Sequence, residues 1–391
     1  MKYNFDKVID RSGTSAEKVE GLKHIWGRTD LIPLWVADMD FATAPFVTDA
    51  IRKRCENEVL GYTGKPDSYY NAIINWVKQR YDLIVTKEVI NFVPGIVPGI
   101  GMAMNCFTQK GDKVMIQPPV YHPFAWVTTR NERTLVINSL RWENGMYRMD
   151  LDAFREQIKG CKLFILCNPH NPGGVVWTEA ELRAIADICY DEKVLVFSDE
   201  IHADLTLPPH THRPFATVSE KARMNSVTFM SPSKAFNMPG LSASHALIFN
   251  EDLRKRFRIY MDAGELDMGH VFAFLSVEAA YSHGTEWLDQ CLAYIQGNID
   301  FVDEFLKKHA PKIKAIRPEA SYLVWLDCRE LELSQKDLNE FFVDKAHLAL
   351  NDGEMFGKEG IGFMRLNVAS PRCIIEKAMK QLADAYQLYI K

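Results

Sequence analysis

A lysine that follows an apolar run has the makings of a reactive amine. Lys234 stands in Ser231-Pro232-Ser233-Lys234-Ala235-Phe236-Asn237-Met238-Pro239-Gly240, directly after Val227-Thr228-Phe229-Met230. The run reads as a strand, so the amine falls at a strand's carboxyl end, where α/β enzymes gather their chemistry. There, burial or a neighbouring cation lowers a lysine's pKa and lets it form a Schiff base with a carbonyl compound. The flanking serine hydroxyls suit a phosphate. Taken alone the stretch has a plainer reading, a solvated loop lysine, because Ser-x-Ser-Lys is short enough to arise by chance.

Two further polar clusters change the balance. Asn168-Pro169-His170-Asn171-Pro172-Gly173-Gly174 follows Leu163-Phe164-Ile165-Leu166-Cys167, and Ser198-Asp199-Glu200-Ile201-His202 follows Val194-Leu195-Val196-Phe197. Both apolar runs read as buried parallel strands, so three clusters are expected at three strand ends. In this order and composition the set resembles the fold-type I pyridoxal-phosphate enzymes of the class I and II aminotransferase superfamily. Within it the chain is most similar to the cystathionine beta-lyase subfamily of carbon–sulfur lyases, over essentially its whole length. The octet Leu34-Trp35-Val36-Ala37-Asp38-Met39-Asp40-Phe41 is close to that subfamily's signature, although by itself it reads as a strand ending in a turn.

The resemblance implies a cofactor, pyridoxal 5′-phosphate, and a role for each matching residue. Lys234 would hold the cofactor and remove the Cα proton, Asp199 would face the ring nitrogen with His202 supporting it, and Asn171 would donate to the ring's phenolic oxygen. Tyr121, in Pro118-Pro119-Val120-Tyr121-His122-Pro123-Phe124, would cover the ring, as an aromatic at a strand end can. Phosphate contacts would come from Ser231, Ser233 and the backbone of Ile96 and Val97. Those two residues lie where Gly95 and Pro98 precede a helix, and a helix N-terminus is an anion site. Tyr62, in the turn Gly61-Tyr62-Thr63-Gly64, would cross a homodimer interface to the other subunit's phosphate. Arg365 interrupts the apolar strand pattern of Phe363–Ala369 and would grip the substrate α-carboxylate as a bidentate fork, beside the backbone of Ala37.

Two departures stand out. Position 242, where many aminotransferases carry an arginine that neutralises the phosphate, is serine. The Lys-Trp pair common upstream in the subfamily is Lys18-Val19, so no role is transferred there. The implied activity is α,β-elimination from L-cystathionine or related L-cysteine S-conjugates, giving a thiol, pyruvate and ammonia. An aminotransferase, or a non-catalytic regulatory protein on the same fold, remains open, because fold does not fix function.

Alternating helix- and strand-length patterns from 149 to 247 predict an α/β fold, a mostly parallel sheet with helices on both faces. The resemblance makes it a seven-stranded type. With 391 residues the chain exceeds what one core usually supports. The expected division is an arm at 1–45, a large domain at 46–285 and a smaller α/β domain at 286–391, the last with a strand at 321–326 and helices at 334–345 and 371–388. A net charge of −5 offers no basic footprint for nucleic acid or anionic membrane, leaving a small molecule as the expected partner. Eight cysteines without a Cys-x-x-Cys pair, several inside apolar runs, point to reduced thiols and the cytoplasm. The start of the chain shows no apolar signal segment, and no run is long enough to span a membrane. His210 and His212 are spaced like metal ligands, but no third ligand stands near them, and no metal is expected.

Overall fold

A computed structural model describes residues 2–389. Seven strands form the main sheet: β1 (Ile90–Val93), β2 (Lys113–Ile116), β3 (Thr134–Ile137), β4 (Cys161–Cys167), β5 (Leu195–Asp199), β6 (Ser226–Met230) and β7 (Ser244–Leu247), in the order β1-β7-β6-β5-β4-β2-β3. β1, β6 and β7 are buried throughout, which their apolar composition suits, whereas the edge strand β3 is exposed at both ends. Pairs among β2 to β6 are parallel, whereas β7 runs antiparallel to both β6 and β1. Its reversal has a local cause. The connection 231–243 holds only a 3₁₀ turn, Pro239–Leu241, and no helix of the kind that usually carries a parallel crossover. The reversal puts the start of β7 at the same edge as the carboxyl ends of the other six.

Helices cover both faces. Glu179–Asp191 begins with a reciprocal Thr178/Glu181 capping box, which satisfies two otherwise orphaned N–H groups. A four-stranded antiparallel sheet lies in the C-terminal part: β8 (Lys314–Ile316), β9 (Leu323–Asp327), β10 (Asn351–Asp352) and β11 (Phe363–Asn367), ordered β8-β9-β11-β10. The helix Thr285–His309 precedes it, and Arg372–Tyr389 follows it.

The N-terminal segment is stitched onto both parts. Phe5 is buried in a ring of Phe41, Trp287 and Tyr294. Ile32–Pro33 pairs in parallel with Leu348–Ala349, and Asn367 N–H donates to the Leu34 carbonyl at 2.9 Å. The helix Glu17–Trp26 was not foreseen: no side chain caps its start, and the sequence of 1–45 shows little periodicity. Nor was the helix Glu251–Ala263 foreseen, though the Asn250 side chain caps it by accepting from two backbone N–H groups and so left a signal. The helix expected to run continuously over 334–345 is α-helical only over Gln335–Glu340 and widens into a π-turn at Phe341–Lys345.

Candidate active site

The polar clusters converge where the topology sends them. A cavity of about 200 Å³ opens at the carboxyl ends of the parallel strands, and its lining includes Ala37, Ile96, Val97, Tyr121, Asn171, Asp199, His202, Ser233 and Lys234. Asp199 ends β5, Asn171 lies just beyond β4, Tyr121 beyond β2 and Lys234 beyond β6.

Lys234 Nζ donates to the Ala37 carbonyl at 2.5 Å. Burial lowers its pKa to about 8, with Asp38 pulling upward, Arg365 downward and Asp199 upward. A part of the amine is therefore neutral near pH 7, which an ordinary lysine near 10.4 is not. Asp199 is buried, and burial is the main cause that lifts its carboxyl to about 7; the Ile201 N–H at 3.1 Å pulls the other way. Among the described residues no cation pairs with it. His202 beside it is held neutral by burial, down to about 3.

Asn171 shows how the amide is oriented. Arg365 Nη1 donates to its Oδ1 at 3.0 Å, and a guanidinium cannot accept, so the amide NH₂ is turned away from the arginine. Arg365 is itself gripped by a cross-strand neighbour: Asn351 lies opposite it in the β10/β11 register and takes Nη2 at 2.6 Å, with the Trp35 carbonyl at 3.2 Å. Phe356 lies under the guanidinium, 4.8 Å from the ring centre. Burial lowers Arg365 to about 10. Its Nε has no partner, and among the described residues no carboxylate pairs with it. A buried, anchored cation without an anion is a receptor for one.

The helix Ile96–Phe107 begins at the cavity. Gly99 is the first residue whose N–H returns into the helix, to Gly95 O at 2.9 Å, and Pro98 has none to give. The N–H groups of Ile96 and Val97 are thus the first-turn donors that an α-helix leaves without intrahelical partners. Gly95 precedes them at φ +135°, a backbone conformation that side chains resist.

A profile of the family described as aminotransferase class I and II matches residues 29–382. The chain belongs to this family. It is 38% identical to cystathionine beta-lyase PatB of Bacillus subtilis (strain 168) over 384 residues, 98% of this chain and 99% of that one. Identity to protein MalY of Escherichia coli (strain K12) is 30%, covering 98% of each. Cystalysin from Treponema denticola, a crystal structure containing pyridoxal 5′-phosphate, superposes with a TM-score of 0.96 at 33% identity, covering 100% of both chains. The PLP-bound C-S lyase from Staphylococcus hominis does so at 0.91 and 35% identity, covering 98% of each.

In this class I and II aminotransferase family member, not every expected site residue faces the cavity. The Ser231 hydroxyl is turned into the loop, donating to the Ala243 carbonyl at 2.8 Å and accepting the Ser233 N–H at 3.1 Å. It braces the lysine turn rather than lining the cavity, whereas Ser233, Ser242 and Ser244 do line it. Tyr62 is fully exposed and lies in a separate surface hollow, lined by 60–65 and 267–271. His212 Nε2 is 2.8 Å from Glu200 within the core, and His210 lies 3.7 Å from Glu319, so the two histidines serve separate contacts.

Three residues beyond those expected hold the site together. Asn237, at φ +52° just after the lysine, accepts the Met39 N–H at 3.0 Å and donates to the Met39 and Phe41 carbonyls at 3.0 and 2.7 Å. Asn367 donates to the Val36 and Asp38 carbonyls, both at 2.7 Å. The octet is therefore gripped as a strand would be, but by side-chain amides from two sides. Tyr322 adds its hydroxyl to the Ala37 carbonyl at 3.0 Å. An asparagine three residues past a lysine carries no such message in sequence, because its partners lie some 200 positions away.

Proposed function

We propose that the cavity binds pyridoxal 5′-phosphate and that the protein is a carbon–sulfur β-lyase. Its reaction would be α,β-elimination from L-cystathionine and related L-cysteine S-conjugates to a thiol, pyruvate and ammonia. The observation that carries this reading is a lysine amine lowered to about 8 facing the same cavity as a buried carboxylate that forms no ion pair among the described residues. The donor set fits the cofactor: Asp199 lacks the positive charge that a pyridinium nitrogen brings, the Asn171 NH₂ is turned away from Arg365, and a helix start offers two N–H groups. Relatives bearing the name cystathionine beta-lyase support the same choice.

Bound there, the cofactor supplies a carbonyl for an amine and an electron sink for a carbanion at Cα. Asp199, ionised against the ring nitrogen, would keep that nitrogen protonated. Tyr121 would lie on the ring, and the Asn171 NH₂ would donate to its phenolic oxygen. The phosphate would sit on the Ile96 and Val97 N–H groups and the Ser233 hydroxyl. Without an arginine at 242, its charge falls to the helix dipole and to neutral donors. Arg365 would take the substrate α-carboxylate and align Cα–H toward Lys234. Lys234 accepts that proton, and the Cβ–S bond breaks with its electron pair leaving on sulfur. A thiol with a pKa of about 8.5 departs as thiolate with little acid help, and the released enamine takes up water to give pyruvate and ammonia.

The reading extends to a cytoplasmic homodimer. The full exposure of Tyr62, with Val59, Leu60 and Met268 also exposed around it, supports an interface at that hollow, and eight free cysteines support a reducing compartment. It also extends to the division into an arm at 1–45, a cofactor domain at 46–285 and a small domain at 286–391. The decisive experiment incubates the PLP-reconstituted protein with L-cystathionine and assays thiol and pyruvate, with no keto-acid acceptor present. Both should appear in equal amounts. No thiol, together with stoichiometric glutamate from a standard amino acid and 2-oxoglutarate, would replace the lyase by an aminotransferase.

A further inference from the structure

Next to Ala37 the octet carries a closed cluster of four charges that none of the chemistry above uses. Lys18, whose side chain is wholly buried, donates to Asp40 Oδ2 at 2.8 Å and to the Asp38 carbonyl at 3.2 Å, with Asp38 Oδ1 at 3.6 Å. Arg11 reaches Asp38 Oδ2 at 2.6 Å, Asp38 Oδ1 at 3.1 Å and Asp40 Oδ1 at 3.1 Å. Two cations and two carboxylates thus fix one another, as buried charges must to offset their desolvation. The backbone they fix is the segment whose Ala37 carbonyl receives Lys234 at 2.5 Å and the Tyr322 hydroxyl at 3.0 Å.

We propose that Arg11 and Lys18 are positioning residues for Lys234: by clamping Asp38 and Asp40 they set where the Ala37 carbonyl stands and how much negative charge the Lys234 amine faces. The proposal rests on the reading of Lys234 as the cofactor-bearing base. Lys234 faces Asp38 from the octet, Asp199 and His202 from the end of β5, and Arg365 and Tyr322 from the small sheet. Among these charges Asp38 acts most strongly on the amine, ahead of Arg365 and Asp199. Its field is the part that Arg11 and Lys18 neutralise. In a low-dielectric site the loss of either cation leaves Asp38 undercompensated, so the amine would hold its proton to higher pH, and loss of the Asp38 charge would do the reverse.

The two opposite signs make the test. The visible absorbance of the PLP-reconstituted protein is titrated against pH for the wild type, Arg11→Ala, Arg11→Lys and Asp38→Asn. Arg11→Ala is expected to move the midpoint up and Asp38→Asn to move it down, each by roughly half a pH unit or more. Arg11→Lys should return most of the way to the wild-type midpoint. Steady-state kinetics of Arg11→Ala should show kcat falling with KM little changed, since Arg11 does not touch the cavity. Wild-type protein without visible absorbance after reconstitution would sink the cofactor reading itself. A wild type that titrates while Arg11→Ala keeps the same midpoint, or while both variants move in one direction, overturns the positioning role. If Asp38→Asn does not fold, the Arg11 pair decides: an unmoved midpoint in Arg11→Ala, or no return in Arg11→Lys, rejects the proposal.

Discussion

Burial holds the Asp199 carboxyl at about 7, whereas an aspartate in an unfolded chain titrates near 3.9. Between those values the folded protein keeps a proton that the unfolded chain has lost. Stability of the cofactor-free protein therefore falls as pH rises from about 4 to about 7, and the whole penalty is present above 7. Asparagine has the same shape and can still accept the Ile201 N–H, but it cannot ionise. Asp199→Asn is expected to stabilise the cofactor-free protein at pH 8, by roughly a few kcal/mol at most, and to leave it unchanged near pH 4. Denaturant unfolding at the two pH values checks this. The reconstituted protein should show the opposite, a loss of cofactor affinity in the variant, because the ring nitrogen no longer meets a carboxylate.

Among the elements, the octet depends on amides that the lysine turn and β11 lend it. Asn237→Ala would leave the Met39 N–H and the Met39 and Phe41 carbonyls without these partners. A cost of about 2–3 kcal/mol in unfolding free energy is expected, with lower kcat because Ala37 is freed to shift under Lys234. Asn237→Asp, which cannot donate to the two carbonyls, should recover little. This grip also marks the limit of what the sequence discloses. Six of the seven strands of the main sheet announce themselves as strand-length apolar runs, β1 (Ile90–Val93) being the one without such an announcement, and the groups at their ends follow from topology. Asn171, Asp199, Lys234 and Tyr121 were legible for that reason. Arg365 was legible because a charge inside an apolar strand demands a partner. By contrast Asn237, Asn367 and Lys18 act through contacts made between distant parts of the chain, and no local period reports them. The direction of the Ser231 hydroxyl was not legible for a related reason: the Ala243 carbonyl, brought close by the reversed strand β7, accepts its hydrogen bond.

At the scale of the molecule, a fully exposed tyrosine lies in a hollow shared by 60–65 and 267–271, which has no lining residue in common with its own chain's cavity. If it serves the site of a second copy, Lys234→Ala and Tyr62→Phe, each of low activity alone, should regain activity when mixed under conditions of subunit exchange. Up to about one quarter of wild-type activity is expected, because a mixed dimer has one site free of both lesions and random exchange makes about half the dimers mixed. Sedimentation should give a dimer for both variants. Mixed dimers without recovery would confine each site to one chain.

The N-terminal stitching has a practical consequence for anyone who produces this protein in a shortened form. The family match starts at residue 29, and a gene trimmed to that boundary would look whole by alignment. Yet the trimmed chain would lack Phe5, which plugs the ring of Phe41, Trp287 and Tyr294, and both cations that neutralise Asp38 and Asp40. Two carboxylates would then stand half-buried and unopposed two steps from the Lys234 amine. Such a product is expected to bind pyridoxal 5′-phosphate poorly and to melt at lower temperature than the full chain, which thermal scanning with and without the cofactor would reveal.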